Sequence, residues 1–330
     1  MTWSTTPVLR HPFSAVGLIA LAAAATVQWG CAESKRPVTQ RIQNPQDEWV
    51  YSIDTGVGGR PDTTRPLSDP LRSVYYGLPQ GRPLDPMPAV LFNNGYVVGY
   101  DVPAKTPLWA CYRLFASSAN PTPAAKNAAF ATDARTRGTA EAEAEADSKS
   151  KSGRVDDYAG KGGYSRRLLA PTGLIGADYG EDAAHETLLS SNVLPVAAGR
   201  NDVWDQITGL EWAYAQAYDE LWVICGPLFS GDVKALPSGS AVPEGFWKIH
   251  ITVRKGRSRI QSFIVPQPSG NAQQQKADLA DYLVSVGEIE EKTGLTFFPA
   301  IHDIDGDTAE LRHIKVQDGI WPTERDTAAR

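Results

Sequence analysis

Asn93-Asn94-Gly95 stands between two apolar runs, Val90-Leu91-Phe92 and Tyr96-Val97-Val98-Gly99-Tyr100. Asn-Gly in this setting is the strongest short-range signal for a β-hairpin, because both residues accept the positive φ of a tight turn with the right twist. It commits the chain to antiparallel pairing, and residues 108–115 read as the next strand. Further on, Trp247, Ile249, Ile251 and Val253 alternate, which is the period of a strand with one buried face. Residues 221–225 form a compact apolar strand ending at Gly226-Pro227, and residues 262–265 add another. Between these strands the period changes. From Glu186 to Tyr218 the pattern turns helical, with Trp204, Ile207, Leu210, Glu211, Tyr214 and Tyr218 at three- and four-residue steps. Residues 279–293 predict a second helix, Leu283 and Val286 inward, Glu288, Glu290 and Glu291 outward, stopped by Gly294. The sum is an α+β domain with a mixed or antiparallel sheet and a long central helix.

A chain of 330 residues, 42% hydrophobic, with 9 Trp, 12 Tyr and 9 Phe, buries one substantial core or at most two small ones. The expected organisation is a leader over residues 1–31, a polar tether over 32–47, one domain over 48–320 and a polar tail over 321–330. Residues 116–157 are low in apolar content and read as a solvent-facing surface insertion, either a short Ala/Glu helix or a disordered loop. A net charge of −6 excludes coating of nucleic acid by bulk charge but is compatible with a local basic groove.

The leader carries an address. Arg10 and His11 precede an apolar run from Phe13 to Val27. At about 15 residues it is short for a membrane span, which needs roughly 20, and it fits the hydrophobic region of a signal peptide. It ends at Gln28-Trp29-Gly30-Cys31, ahead of the polar Ala32-Glu33-Ser34-Lys35. A small residue before a Cys resembles a bacterial lipobox, which makes Cys31 the lipidation site and the cell envelope the destination. The alternative is ordinary cleavage and release into the periplasm or medium. Cys31, Cys111 and Cys225 have no metal-ligand spacing, so no zinc site is expected. Cys111 and Cys225 lie in apolar strands, where a disulfide and two buried thiols are equally compatible.

The chemistry concentrates between residues 164 and 229. Tyr164-Ser165-Arg166-Arg167-Leu168-Leu169-Ala170-Pro171 comes first, then Glu186-Thr187-Leu188-Leu189-Ser190-Ser191-Asn192-Val193-Leu194-Pro195. Trp204 follows, and a strand then leads into Cys225-Gly226-Pro227-Leu228-Phe229. This resembles the DNA/RNA non-specific endonucleases, ββα-metal (His-Me finger-like) enzymes. Their pattern runs Tyr-Asp-Arg-Gly-His-Leu-Ala-Pro, then Glu-Thr-Phe-x-x-Ser-Asn-x-x-Pro, then an Asn shortly before a Trp and a Leu-Glu in the helix. Tyr76-Gly77-Leu78-Pro79, the hairpin around Asn94-Gly95, Phe246-Trp247-Lys248, Thr293-Gly294-Leu295 and Phe297-Phe298-Pro299 extend the likeness over roughly residues 48 to 300, in order.

The resemblance implies metal-dependent hydrolysis of phosphodiester bonds in DNA or RNA. A histidine deprotonates the attacking water. A helix Asn holds a divalent cation, usually magnesium, against the phosphate. An arginine neutralises charge on the phosphoryl oxygens and a glutamate positions water. Carried over, Arg166 matches the arginine and Asn192 the asparagine before the Pro, while Asn201 becomes the metal ligand if the turn is one residue shorter. Arg166, Arg167, Lys161 and Asn192 are the expected phosphate and nucleic-acid contacts. Ser165, Arg167 and Leu168 stand in place of Asp, Gly and His. Arg200 stands four residues before Trp204, and four residues after it Thr208 replaces Glu, with Glu211 one turn further on. Leucine has no proton-accepting atom. His185 is the candidate surrogate base; His250 and His302 read as structural. Two readings follow: an active magnesium-dependent endonuclease with rearranged residues, or a catalytically inactive pseudo-nuclease kept as an envelope binding module.

Three weaker features complete the reading. Lys149, Lys151, Arg154, Lys161, Arg166 and Arg167 form either a phosphate-contacting lip or a solvated loop face. Asp303-Ile304-Asp305-Gly306-Asp307 misses EF-hand spacing and reads as a polar turn. Trp204, Trp212, Tyr214 and Tyr218 are spaced for a core rather than for base stacking.

Overall fold

The computed structural model describes residues 70–81, 88–116, 120–121, 129–136, 163–197, 202–229, 231, 233–254, 257–267, 278–299 and 319–323, with backbone alone at 39–44, 47–52, 70, 202, 254 and 257. The leader with Cys31, and the sites expected at Lys161 and Asn201, lie outside them. So do Arg200 and His302.

Two strands open the described chain, β1 (Thr39–Asn44) and β2 (Asp47–Ser52), paired antiparallel. The first falls inside the expected tether. After β3 (Gln80–Gly81) come β4 (Ala89–Asn93), β5 (Tyr96–Asp101) and β6 (Thr106–Phe115). Strands β7 (Tyr164–Leu168) and β8 (Val193–Ala197) are joined through helices α1 (Thr172–Tyr179) and α2 (Glu181–Glu186). Helix α3 (Asp202–Tyr218) leads to β9 (Glu220–Leu228), the short β10 (Lys234–Ala235) and β11 (Ala241–Val242), then β12 (Gly245–Arg254) and β13 (Arg257–Pro266). The chain closes with β14 (Leu283–Val284), α4 (Val286–Thr293) and β15 (Leu295–Thr296).

Seven strands form the main sheet in the order β14-β13-β12-β9-β6-β5-β4, every neighbouring pair antiparallel. The architecture is α+β, as expected. The hairpin turns at Asn94-Gly95 with Asn93 opposite Tyr96. Gly95 has φ 86°, and a Cβ there would lie 2.6 Å from the Tyr179 ring, so conformation and space both demand glycine.

Period-two alternation splits the central strands between two cores. Ala110, Tyr112, Leu114, Leu221, Val223 and Cys225 face α3, which contributes Trp204, Tyr214 and Tyr218. Trp109, Cys111, Trp222, Ile224, Trp247 and Ile249 face the other way, onto Val286 and Ile289 of α4. Cys225 sits opposite Ala110 while Cys111 points to the far face, so both cysteines are buried free thiols. Neighbours on opposite sheet faces cannot bond without moving backbone.

Two helix readings shift. Residues 193–197 belong to β8, so the long helix begins only at Asp202. Residues 279–282 make a 3-10 turn and Val284 pairs with Ser262 in the sheet. Helix α4 begins later because Ser285 caps it, accepting from the Glu288 amide at 3.2 Å while the Glu288 carboxylate accepts from the Ser285 amide at 2.8 Å. Gly294, left-handed at φ 69°, ends it as expected. Among the described residues no helix is long and apolar enough to cross a membrane.

Candidate active site

Strands β7 and β8 pair antiparallel, Leu168 against Val193, Arg167 against Leu194 and Arg166 against Pro195. Helix α3 follows, giving two strands and a helix. Side chains alternate along β7, so Arg166 and Leu168 share one face and Arg167 takes the other. Arg166 is half-buried, its guanidinium 4.6 Å from the Phe130 ring centroid. Leu168 is half-buried at the strand end, where the resemblance puts a general base.

Arg167 points into the core. It is 8% exposed, with its guanidinium 5.0 Å from the Phe246 ring and 5.3 Å from that of Trp204. Its Nη1 lies 3.8 Å from Asp205 Oδ1, and its buried Nε has no hydrogen-bond partner. Burial pulls its pKa down to about 10, with Asp205 opposing.

Asn192, expected at a phosphate, holds backbone instead. Its side chain is fully buried; Nδ2 donates to Ala170 O (3.0 Å) and Thr187 O (2.8 Å), and Oδ1 accepts from Ala170 N (2.9 Å). That clamp ties the end of β7 to the turn before β8, and leaves no donor directed at solvent. His185 lies on the outer side of α2 with its side chain 68% exposed and Nε2 4.0 Å from Glu181 Oε1. Two separate elements thus carry Leu168 and His185.

Helix α3 brings a different set together. Thr208 Oγ1 accepts from Lys248 Nζ at 2.9 Å, and that ammonium lies 4.2 Å from the Trp204 ring. Glu211, fully buried, pairs with Lys248 through Oε1, which also lies 3.4 Å from His250 Nε2. Its Oε2 accepts from the Tyr112 hydroxyl at 2.7 Å. Burial opposes the Glu211 charge, but Lys248 and His250 outweigh it, and its pKa falls below the ordinary carboxylate value. Burial lowers that of His250, against the pull of Glu211. This network was not anticipated. Its signal is present in β12, where Lys248 and His250 occupy one face of an otherwise apolar alternation. The structural reading of His250 agrees with this burial.

The insertion is anchored in its middle. Ser190 N donates to Ala131 O at 2.8 Å, and the 2% exposed Asp133 accepts from Ser191 Oγ at 2.6 Å. Arg135 bonds Asp133 and reaches Phe92 O (2.7 Å) and Asn93 Oδ1 (2.6 Å). Burial works against the Asp133 charge, yet the bonds from Arg135 and Ser191 prevail and lower its pKa. Residues 131–136 are therefore docked on the domain through Asp133 and Arg135, while Ala131, Thr132 and Ala134 stay exposed.

The described donors do not fit a divalent cation. Thr208, in place of the glutamate, faces an ammonium, and Glu211 is already neutralised. Among the described residues no three His, Cys, Asp or Glu side chains converge on a common point.

The ordered pair of strands and helix matches known proteins. The DNA/RNA non-specific endonuclease pattern fits residues 78–304. The chain belongs to that family. It is 26% identical over 250 residues to the mitochondrial nuclease EXOG of Homo sapiens, covering 71% of this chain and 62% of that protein. Nuclease C1 of Cunninghamella echinulata var. echinulata is 30% identical over 156 residues, 43% of this chain and 59% of its own length. The chain thus spans less than two thirds of these nucleases. Endonuclease G in its complex with the inhibitor EndoGI shares the fold, with TM-score 0.54 and 19% identity over 70% of this chain and 91% of that one. Family and ββα fold agree with the reading of the motif.

Proposed function

We propose that this member of the endonuclease family binds the phosphate backbone of nucleic acid on the β7–β8–α3 unit and has lost hydrolysis by the histidine route. The observation that carries this is Leu168 at the end of β7, on the face of Arg166, where no side-chain atom can take a proton. Loss of a general base alone costs about 10²–10⁴ in rate. Arg166 keeps the charge that a phosphate needs, so affinity outlasts turnover. Asn201 is the residue left to hold magnesium, the cation of the family chemistry, which when bound supplies charge neutralisation at the phosphate. Thr208, where the family has a glutamate, faces Lys248 and brings no carboxylate to that cation.

The proposal extends to location. The apolar run of residues 13–27, ended by Gly30-Cys31, supports export and lipid anchoring through Cys31 in the bacterial envelope.

A plasmid-nicking assay with magnesium tests the function. The full chain gives no nicking above a protein-free control, while fluorescence anisotropy shows binding that weakens steeply with salt. Magnesium-dependent nicking that disappears in Arg166→Ala overturns the proposal.

A further inference from the structure

Phe130 belongs to the insertion yet lies against the motif. Alone, a phenylalanine 39% exposed is an ordinary surface residue. Here the residues after it are fixed. Ala131 bridges Leu189, Asp133 is buried against Ser191, and Arg135 is tied to the β4–β5 hairpin. The ring is thus delivered to one place, 4.6 Å from the guanidinium of Arg166.

A guanidinium meets a ring with its face and a phosphate with the N–H donors in its plane, so the two contacts use different parts of one side chain. Phe130, exposed although Arg166 lies over its ring, can take a base on what remains open. Phosphate and base of one nucleotide then meet adjacent side chains. A duplex cannot supply such a base without breaking a pair, whereas single strands have bases free to stack.

From this we infer that Phe130 is a base-stacking residue which, with Arg166 on the phosphate, makes the chain select single-stranded over duplex nucleic acid. The inference rests on the proposed backbone binding and names its substrate class.

The test compares a short fluorescent oligothymidylate, an abasic oligonucleotide of equal length and charge, and a duplex, all in EDTA with the full chain. The wild type binds the oligothymidylate about tenfold more tightly than the abasic strand, the effect of stacking one base. Phe130→Ala brings that ratio to one, leaves the abasic affinity in place and does not move the melting temperature. Phe130→Tyr keeps the ratio. A ratio unchanged in Phe130→Ala, or equal binding of both strands by the wild type, overturns the stacking role while backbone binding stands. Binding of neither strand overturns the backbone reading, and the stacking role with it.

Discussion

Lys248→Met removes the ammonium beside Glu211 and leaves an unbranched stem against Trp204. Lys248 and Glu211 both have side chains at 0% exposure, so the loss falls on a carboxylate far from water. Breaking a buried pair from one side costs about 3–5 kcal/mol. Glu211 keeps the Tyr112 hydroxyl at 2.7 Å and His250 Nε2 at 3.4 Å, which argues for the lower end, about 3 kcal/mol near pH 8. The pH dependence is the sharper part. In the wild type the folded His250 pKa is depressed, so its contribution is present above the ordinary 6.5 and is lost as pH falls towards the folded value. The depressed Glu211 behaves likewise further down, contributing above 4.5 and losing that stability in stronger acid. Lys248 is one of the influences that lower His250, and Glu211 is one that raises it. With Lys248 gone, burial still holds the folded His250 pKa down, but one of the influences that depress it is removed while the pull of Glu211 stays. The smaller depression leaves less stability to lose in acid. The variant should therefore lose less stability than the wild type between about pH 8 and pH 6. Urea midpoints followed by tryptophan fluorescence at both pH values measure this. A penalty under about 1 kcal/mol near pH 8, or a midpoint that falls in step with the wild type, refutes an ionised Glu211 held by Lys248.

Asn192→Ala strands three buried backbone partners and should cost about 3 kcal/mol in urea unfolding, with nucleic-acid binding intact in the folded fraction. Lost binding at unchanged stability would instead make Asn192 a ligand contact. Cys111 and Cys225 should react with thiol reagents only after unfolding, since burial pushes the Cys225 thiol up to about 12 and holds that of Cys111 well above its ordinary value. A Cys111–Cys225 cross-link in oxidised folded protein, read by mass spectrometry, would contradict the opposite-face register.

Much of the fold was legible because periodicity reports burial. The Asn93–Gly95 turn, the alternation in β12 and the stop at Gly294 all appear where residue chemistry placed them. Errors came where one pattern serves two elements. The sequence from Glu186 to Ala197 has apolar residues close enough to continue a helix, but Asn192 closes a turn and turns Val193 into a strand. Ser285 and Glu288 form a capping box in plain sight, yet Leu283 lies before it and pairs with Phe263 in the sheet. At the site, Arg166 and Leu168 share one face of β7 as their spacing implies, whereas Asn192 matches the motif by position alone. Its amide is occupied by atoms of Ala170 and Thr187, contacts that exist only once β7 and β8 are paired. Within the insertion the same holds for two residues: Asp133 and Arg135 look solvated in a polar stretch, and are partners across the fold.

The departures from the family pattern are physically linked. Arg167 fills space beside Trp204 that a glycine would leave empty, and Lys248 meets the same indole at 4.2 Å. Two cations on one ring repel each other unless anions stand near, and here Asp205 serves Arg167 while Glu211 serves Lys248. Thr208 lies on the helix between those two acids, its hydroxyl held by Lys248. A glutamate at position 208 would compete with Glu211 for that ammonium and could not be spared to position water. Leu168 thus departs from the pattern together with Arg167 and Thr208, and in their surroundings the cations Arg167 and Lys248 are fixed by acids of the same helix. Arg167 and Lys248 are committed to the interior, and Arg166 remains on the face that a nucleic acid can approach.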